Sequence, residues 1–286
     1  MAKDMTMSGD KSRPVLTRRV TGRKFFAFLL VLLSAIGSAP SHAVVGGERM
    51  RNTMFLTRYI VAITYNNDEG AFKACTGGII GPQIVVTAAH CVPKDISSMR
   101  VVINDTQFQD DAIAVLPVAA ARIHPLYEQS KRDFDNAYDL AVIKTRGPLP
   151  GRSLHLQVAG RNFPIEQIPT VYVIGYGVTG FDKKGQPINN GLLYSAVVER
   201  LGGEDDDKFI RLDQKKGTGA CIGDSGGPMV VENAGGYIIM GVASTVFNEA
   251  DSSRKSLCSG KSTFISAAYF RHWIRKQAFE LMQVYR

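Results

Sequence analysis

From Val44 to Ser266 the chain is a succession of short apolar runs, each broken by glycine, proline, asparagine or a charged turn. "YIVAITY", "TGGIIG", "QIVVTAAH", "DLAVIKT", "TVYVIGYG", "GPMVV" and "GYIIMGVAS" are rich in β-branched residues, which suit a pleated surface, and their turn signals recur regularly. Long helical patterns are scarce between them, so the pattern favours a β-sandwich or β-barrels over alternating strands and helices. The C-terminus differs. In "AAYFRHWIRKQAFELMQVY" the residues Tyr269, Trp273, Phe279 and Met282 recur at near-helical spacing, predicting one closing helix whose aromatic face packs on the body.

The first 43 residues follow another logic. Arg18, Arg19, Arg23 and Lys24 precede "FFAFLLVLLSAI", and small residues follow. That is the order of an export signal, and the apolar run is shorter than the roughly 20 residues a membrane-spanning helix needs. Ser41 and Ala43 are small enough for the −3 and −1 positions of a cleavage site, which places the cut after Ala43. The expected product is an exported chain, secreted or periplasmic, with no stable membrane anchor, whose folded domain spans residues 44–286.

Charge excludes one class of partner. The full chain carries +8, but residues 1–43 hold seven basic and two acidic residues, so the remainder carries only +3. It has no basic stripe, which argues against nucleic acid as a partner. The four cysteines, Cys75, Cys91, Cys221 and Cys258, all follow the leader. An even number in an oxidising compartment suggests two disulfides, and the sequence permits three pairings. The five histidines are scattered and no cysteines stand in a Cys-x-x-Cys pair, so neither metal nor cofactor is expected. The acidic run in "GGEDDDKFI" lacks the alternating spacing of calcium ligands and reads as a solvated loop.

Chemistry concentrates in "GACIGDSGGPMVV". Glycines crowd around Ser225, leaving its hydroxyl little hindered and letting the backbone turn sharply. Such a turn can aim the N–H groups of Gly223 and Ser225 at one point, an oxyanion hole for a tetrahedral intermediate. A serine hydroxyl needs a base, and His90 in "VVTAAHC" ends a strand-like run beside a cysteine. The imidazole needs a third group to fix its tautomer. Asp139 in "NAYDLAVIKT" sits at the mouth of an apolar strand, where a carboxylate is costly unless paired.

"VVGG", "TAAHC", "DLAVIK" and "GDSGGP" together, in the order His, Asp, Ser, resemble the chymotrypsin and trypsin family of serine proteases over essentially all of residues 44–286. The resemblance implies an all-β fold of two perpendicular six-stranded antiparallel β-barrels with a C-terminal α-helix. It implies Ser225 as nucleophile, His90 as general base and then acid, and Asp139 as orienting partner, with polypeptide substrates and a monomeric enzyme. It also implies the pairings Cys75 with Cys91 and Cys221 with Cys258. The position six before the nucleophile, which holds aspartate in arginine- and lysine-selective members, is Gly219. The pocket wall aligns with Ser244, Thr245 and Val246, and the back wall with Ser262. A valine at 246 and a serine at 262 narrow the pocket, predicting small or medium aliphatic side chains before the scissile bond.

Two rival readings fit the sequence less well. A catalytically inert, protease-like binding protein is expected to lose a key residue, yet His90, Asp139, Ser225 and Gly223 are all present. A lipase or esterase expects its Gly-x-Ser-x-Gly on a strand-to-helix turn and its base after the serine, whereas here Asp224-Ser225-Gly226 leads into the strand-like "GPMVV" and the candidate base, His90, lies upstream. In the resembled family a freed Ile/Val-Val-Gly-Gly terminus folds inward and pairs with the aspartate before the nucleophile. Here that means Val44 with Asp224, and the residue before Val44 is the signal-type Ala43. Export itself is then expected to generate the active terminus.

Overall fold

A computed structural model describes the chain from residue 44, apart from residues 51–54, 105–111, 133–136, 183, 189–190, 203–205, 249–256 and 285–286. The leader expected over 1–43, the start of the acidic run and most of the loop after Val246 lie outside the described residues.

Sixteen strands and two α-helices are named among the described residues. β1 (Glu48–Arg49) is short. β2 (Ile60–Asn66), β3 (Phe72–Gly81), β4 (Ile84–Thr87), β5 (Arg100–Asn104), β6 (Ala112–Ile123) and β7 (Ala141–Thr145) close a first barrel in the order β2-β3-β4-β7-β6-β5. β5 returns to β2 through the pair Ala62 with Val102, which removes the open edge. Every side chain of β4 and β7 is buried, the result of runs apolar on both faces. Helix α1 (Tyr127–Arg132) lies between β6 and β7.

The second half contains β8 (Gln157–Val158), β9 (Thr170–Gly175), β10 (Gly180–Phe181), β11 (Pro187–Ile188), β12 (Tyr194–Arg200), β13 (Phe209–Asp213), β14 (Pro228–Asn233), β15 (Gly236–Phe247) and β16 (Lys261–Ser266). Six of these, β9-β12-β13-β16-β15-β14, form a closed ring because β14 and β12 both pair with β9. β1 and β8 attach to its outside through β12 and β15. The fold is therefore the expected pair of six-stranded antiparallel barrels. Side chains from both barrels, including Ile60, Ile84, Val142, Ile174, Val230 and Val242, share one apolar cluster that joins them.

Helix α2 (Arg271–Val284) closes the chain, with a different buried stripe from the one its sequence suggests. Ile274 and Leu281 are fully buried and Trp273, Ala278 and Met282 pack beside them, whereas Phe279 is 65% exposed. Positions 274, 278 and 281 recur at helical spacing, and Phe279 falls off that line. Buried Lys144 of β7 anchors the helix by donating from Nζ to the Leu281 carbonyl at 3.1 Å, a cation placed at the negative end of the helix dipole.

Candidate active site

β4 ends at Thr87, and a single 3-10 turn, Ala89–Cys91, follows it. Cys91 is bonded to Cys75 of β3, which fixes the turn. β4 pairs with β7 up to Thr87 opposite Ala141, so the residues just beyond each strand become neighbours. This adjacency brings His90 to Asp139. His90 Nδ1 lies 2.7 Å from Asp139 Oδ2, and the His90 backbone N–H donates to Asp139 Oδ1 at 2.9 Å.

The carboxylate is 2% exposed and accepts a third hydrogen bond, from Ser244 Oγ at 2.6 Å. Because a carboxylate only accepts, the Nδ1 proton is held on that side and Nε2 is the free lone pair. The His90 side chain keeps about a third of its surface (33%) in solvent. Partial desolvation pulls the imidazole pKa down, but the charge and hydrogen bond of Asp139 outweigh it and hold the ring above the ordinary histidine value.

Ser225 comes from the second barrel, on the turn before β14. Thr76 of the first barrel pins this turn: its N–H donates to the Ser225 carbonyl at 2.8 Å and its hydroxyl to the Gly223 carbonyl at 3.0 Å. The carbonyls are thereby held away from the cleft. Among the described residues the N–H groups of Gly223 and Ser225 donate to no protein acceptor, and the Ser225 hydroxyl makes no hydrogen bond either. Gly223 has φ +96°, and a Cβ there would come within 2.9 Å of Gly177 Cα, so only glycine fits this pose.

Asp224 is buried between them. Its Oδ1 accepts from Gly177 N–H and its Oδ2 from Cys221 N–H, both at 2.8 Å. None of the described residues forms an ion pair with it. Burial pushes the carboxyl up to about 7, and the two backbone donors offset only part of that cost. Val44 is also fully buried, in the core of the second barrel, with Val45 bridged to Gly219 through Gly219 N–H to Val45 O at 2.9 Å. Val44 has φ +48°, a conformation that costs a β-branched residue while the chain continues into residue 43.

Of the residues read as a specificity pocket, Val246 of β15 stands opposite Ser262 of β16, and Val246 packs on the Cys221–Cys258 disulfide. Ser244, read from the sequence as part of the wall, has its hydroxyl on Asp139. Thr76 was not legible as a site residue, because it sits in an ordinary strand. Cys75, His90 and Cys91 place potential ligand atoms within 4.8 Å of one another, but both sulfurs are consumed in the disulfide and cannot act as thiolate ligands.

No helix among the described residues is long and apolar enough to cross a membrane. The trypsin family model matches residues 44–274. Alkaline trypsin C of Manduca sexta is 28% identical over 226 residues, covering 72% of this chain and 84% of that protein. Granzyme F of Mus musculus is 24% identical over 262 residues, covering 87% of this chain and 96% of its own length. Two barrels, two disulfides and a family match beginning at the buried valine lead to one conclusion: the chain belongs to the trypsin family and is a serine-type endopeptidase.

Proposed function

We propose that the chain is an exported, monomeric endopeptidase that cleaves after small or medium aliphatic residues by means of Ser225, His90 and Asp139. The observation that carries this reading is the 2.7 Å contact between His90 Nδ1 and Asp139 Oδ2, which leaves Nε2 without a protein partner among the described residues. Ser225 Oγ attacks the scissile carbonyl carbon while His90 Nε2 takes its proton. The oxyanion is received by the unused N–H groups of Gly223 and Ser225. Collapse expels the amine, which takes the proton from His90, and leaves an acyl-enzyme. Water, deprotonated by the same imidazole, then releases the acid. Asp139 orients the ring and stabilises the imidazolium.

Residues 1–43 are the signal peptide and 44–286 the protease domain. Cleavage after Ala43 frees the Val44 amine, whose ammonium pairs with Asp224 and secures Gly223 in its pose. Two observations support this: Asp224 is buried with no cation among its described neighbours, and Val44 is strained only while a preceding residue exists to define its φ. The two disulfides suit an oxidising compartment, and each contributes about 2–4 kcal/mol by restricting the unfolded chain.

The test is N-terminal sequencing of the exported protein with peptide assays beside Ser225→Ala. A Val44 terminus and a loss of roughly 10⁵-fold or more in kcat for the variant are expected. A wild type that begins at Val44 yet cleaves nothing would point to an inert scaffold.

A further inference from the structure

Gly219 occupies the position that decides charge selectivity in the family, and this chain has made that position unable to hold a side chain. Its φ is +151°, and a Cβ built there falls inside the Gln214 side chain, on Cγ, Cδ and Oε1. Gln214 has no solvent exposure. Its Nε2 donates to the carbonyls of Ala220 at 2.9 Å and Cys258 at 3.0 Å, and its Oε1 accepts from Ala220 N–H at 2.8 Å. Its own N–H donates to the Gly260 carbonyl at 2.9 Å. Both amide protons are used, so the group cannot swing aside without orphaning buried backbone on two segments at once. The Cys221–Cys258 disulfide ties those same segments together. Beside them Ser262 is 1% exposed, and its Oγ contacts neither solvent nor a hydrogen-bond partner. The back wall is therefore sealed as well.

We infer that Gln214 is the floor of the primary specificity pocket, limiting the side chain before the scissile bond to alanine-like size. The inference rests on the protease reading above and narrows it from small or medium side chains to small ones. It also explains the glycine at 219. An aspartate placed there would have to displace a satisfied amide and set its carboxylate against Oε1, so charge selectivity cannot be restored by that one change.

A peptide series differing only in that residue (Ala, Val, Leu, Met, Phe, Arg) tests it on the protein beginning at Val44. Wild type is expected to cleave fastest after Ala and at least tenfold more slowly after Leu or Met. Gln214→Ala should raise the Leu/Ala and Met/Ala ratios of kcat/KM at least tenfold. Gln214→Met, which fills the same volume without the amide, should keep the preference for Ala while melting at a lower temperature. Ser262→Gly alone should gain nothing on long side chains, and Gly219→Asp should not cleave after Arg. A Gln214→Ala protein that still cleaves the Ala peptide with an unchanged profile overturns the inference but leaves the protease reading intact. So does a wild type fastest after Leu, even if no variant folds, while one fastest after Phe or Arg overturns the inference together with the aliphatic preference but not the protease activity. A wild type that cleaves none of the series overturns both.

Discussion

The two barrels contribute unequal halves of the cleft. On the first, the Asp139 carboxylate is fully engaged: it takes hydrogen bonds from the His90 ring and the His90 backbone, and a third from Ser244 of the second barrel. On the second, the groups around Ser225 are held in place but unspent: among the described residues two N–H groups and a hydroxyl have no partner, and a buried carboxylate has no cation. A site with one half satisfied and the other open is arranged to receive something. The open N–H groups and hydroxyl face a substrate carbonyl in this account, and Asp224 faces the new terminus.

Removing the acid tests the satisfied half most severely. Asp139→Asn presents an N–H donor where His90 needs an acceptor, forcing the other tautomer, and kcat should drop by about 10⁴. The same change removes what holds the imidazole pKa above its ordinary value. In wild type, activity should climb with pH as His90 loses its proton, with a midpoint above about 6.5. In the variant, the residual activity should climb at lower pH. A pH–rate profile of both proteins reads the shift directly.

Ser244→Ala is a milder probe. It deletes one hydrogen bond to a buried anion, worth about 1.5–3 kcal/mol, and leaves two in place. A fall in kcat of about tenfold or more with unchanged KM is expected. A change confined to KM would return Ser244 to the role of wall residue alone.

The smallest expected effect concerns stability, read on the Ser225→Ala background to prevent self-digestion. In a chain that retains Ala43, the Asp224 carboxyl is raised from about 3.9 when unfolded to about 7 when folded. Its protonated form is favoured by folding, so that stability is complete at low pH and lost as pH rises through 7. In the chain beginning at Val44 an ammonium offsets this loss. The two melting temperatures should converge near pH 4 and separate by several degrees near pH 7.5, at roughly 2–4 °C per kcal/mol.

Much of the fold could be read from the sequence because its runs are short, β-branched and regularly punctuated, and the site because glycine-flanked Ser225, His90 and Asp139 have little other reason to occur as they do. What escaped depends on long-range register. Ser244 meets Asp139 across 105 residues, and Gln214 comes against Gly219 and Cys258 because β13 and β16 pair to bring Asp213 opposite Lys261. A glutamine followed by two lysines reads as a solvated turn, and nothing local marks it as fully buried. The buried stripe on α2 follows the same rule: Ile274 and Leu281 are fully buried while the larger Phe279 stays in solvent, because packing against the barrels and not side-chain size selects the face.

The central claim is that the open half of the cleft is completed by the Val44 amine. It is tested most directly by kcat/KM for two proteins differing by one residue, one beginning at Val44 and one retaining Ala43. Loss of a buried ammonium–carboxylate pair costs about 3–5 kcal/mol, so the longer protein should be at least roughly a hundredfold less active. Equal activity of the two would contradict the account.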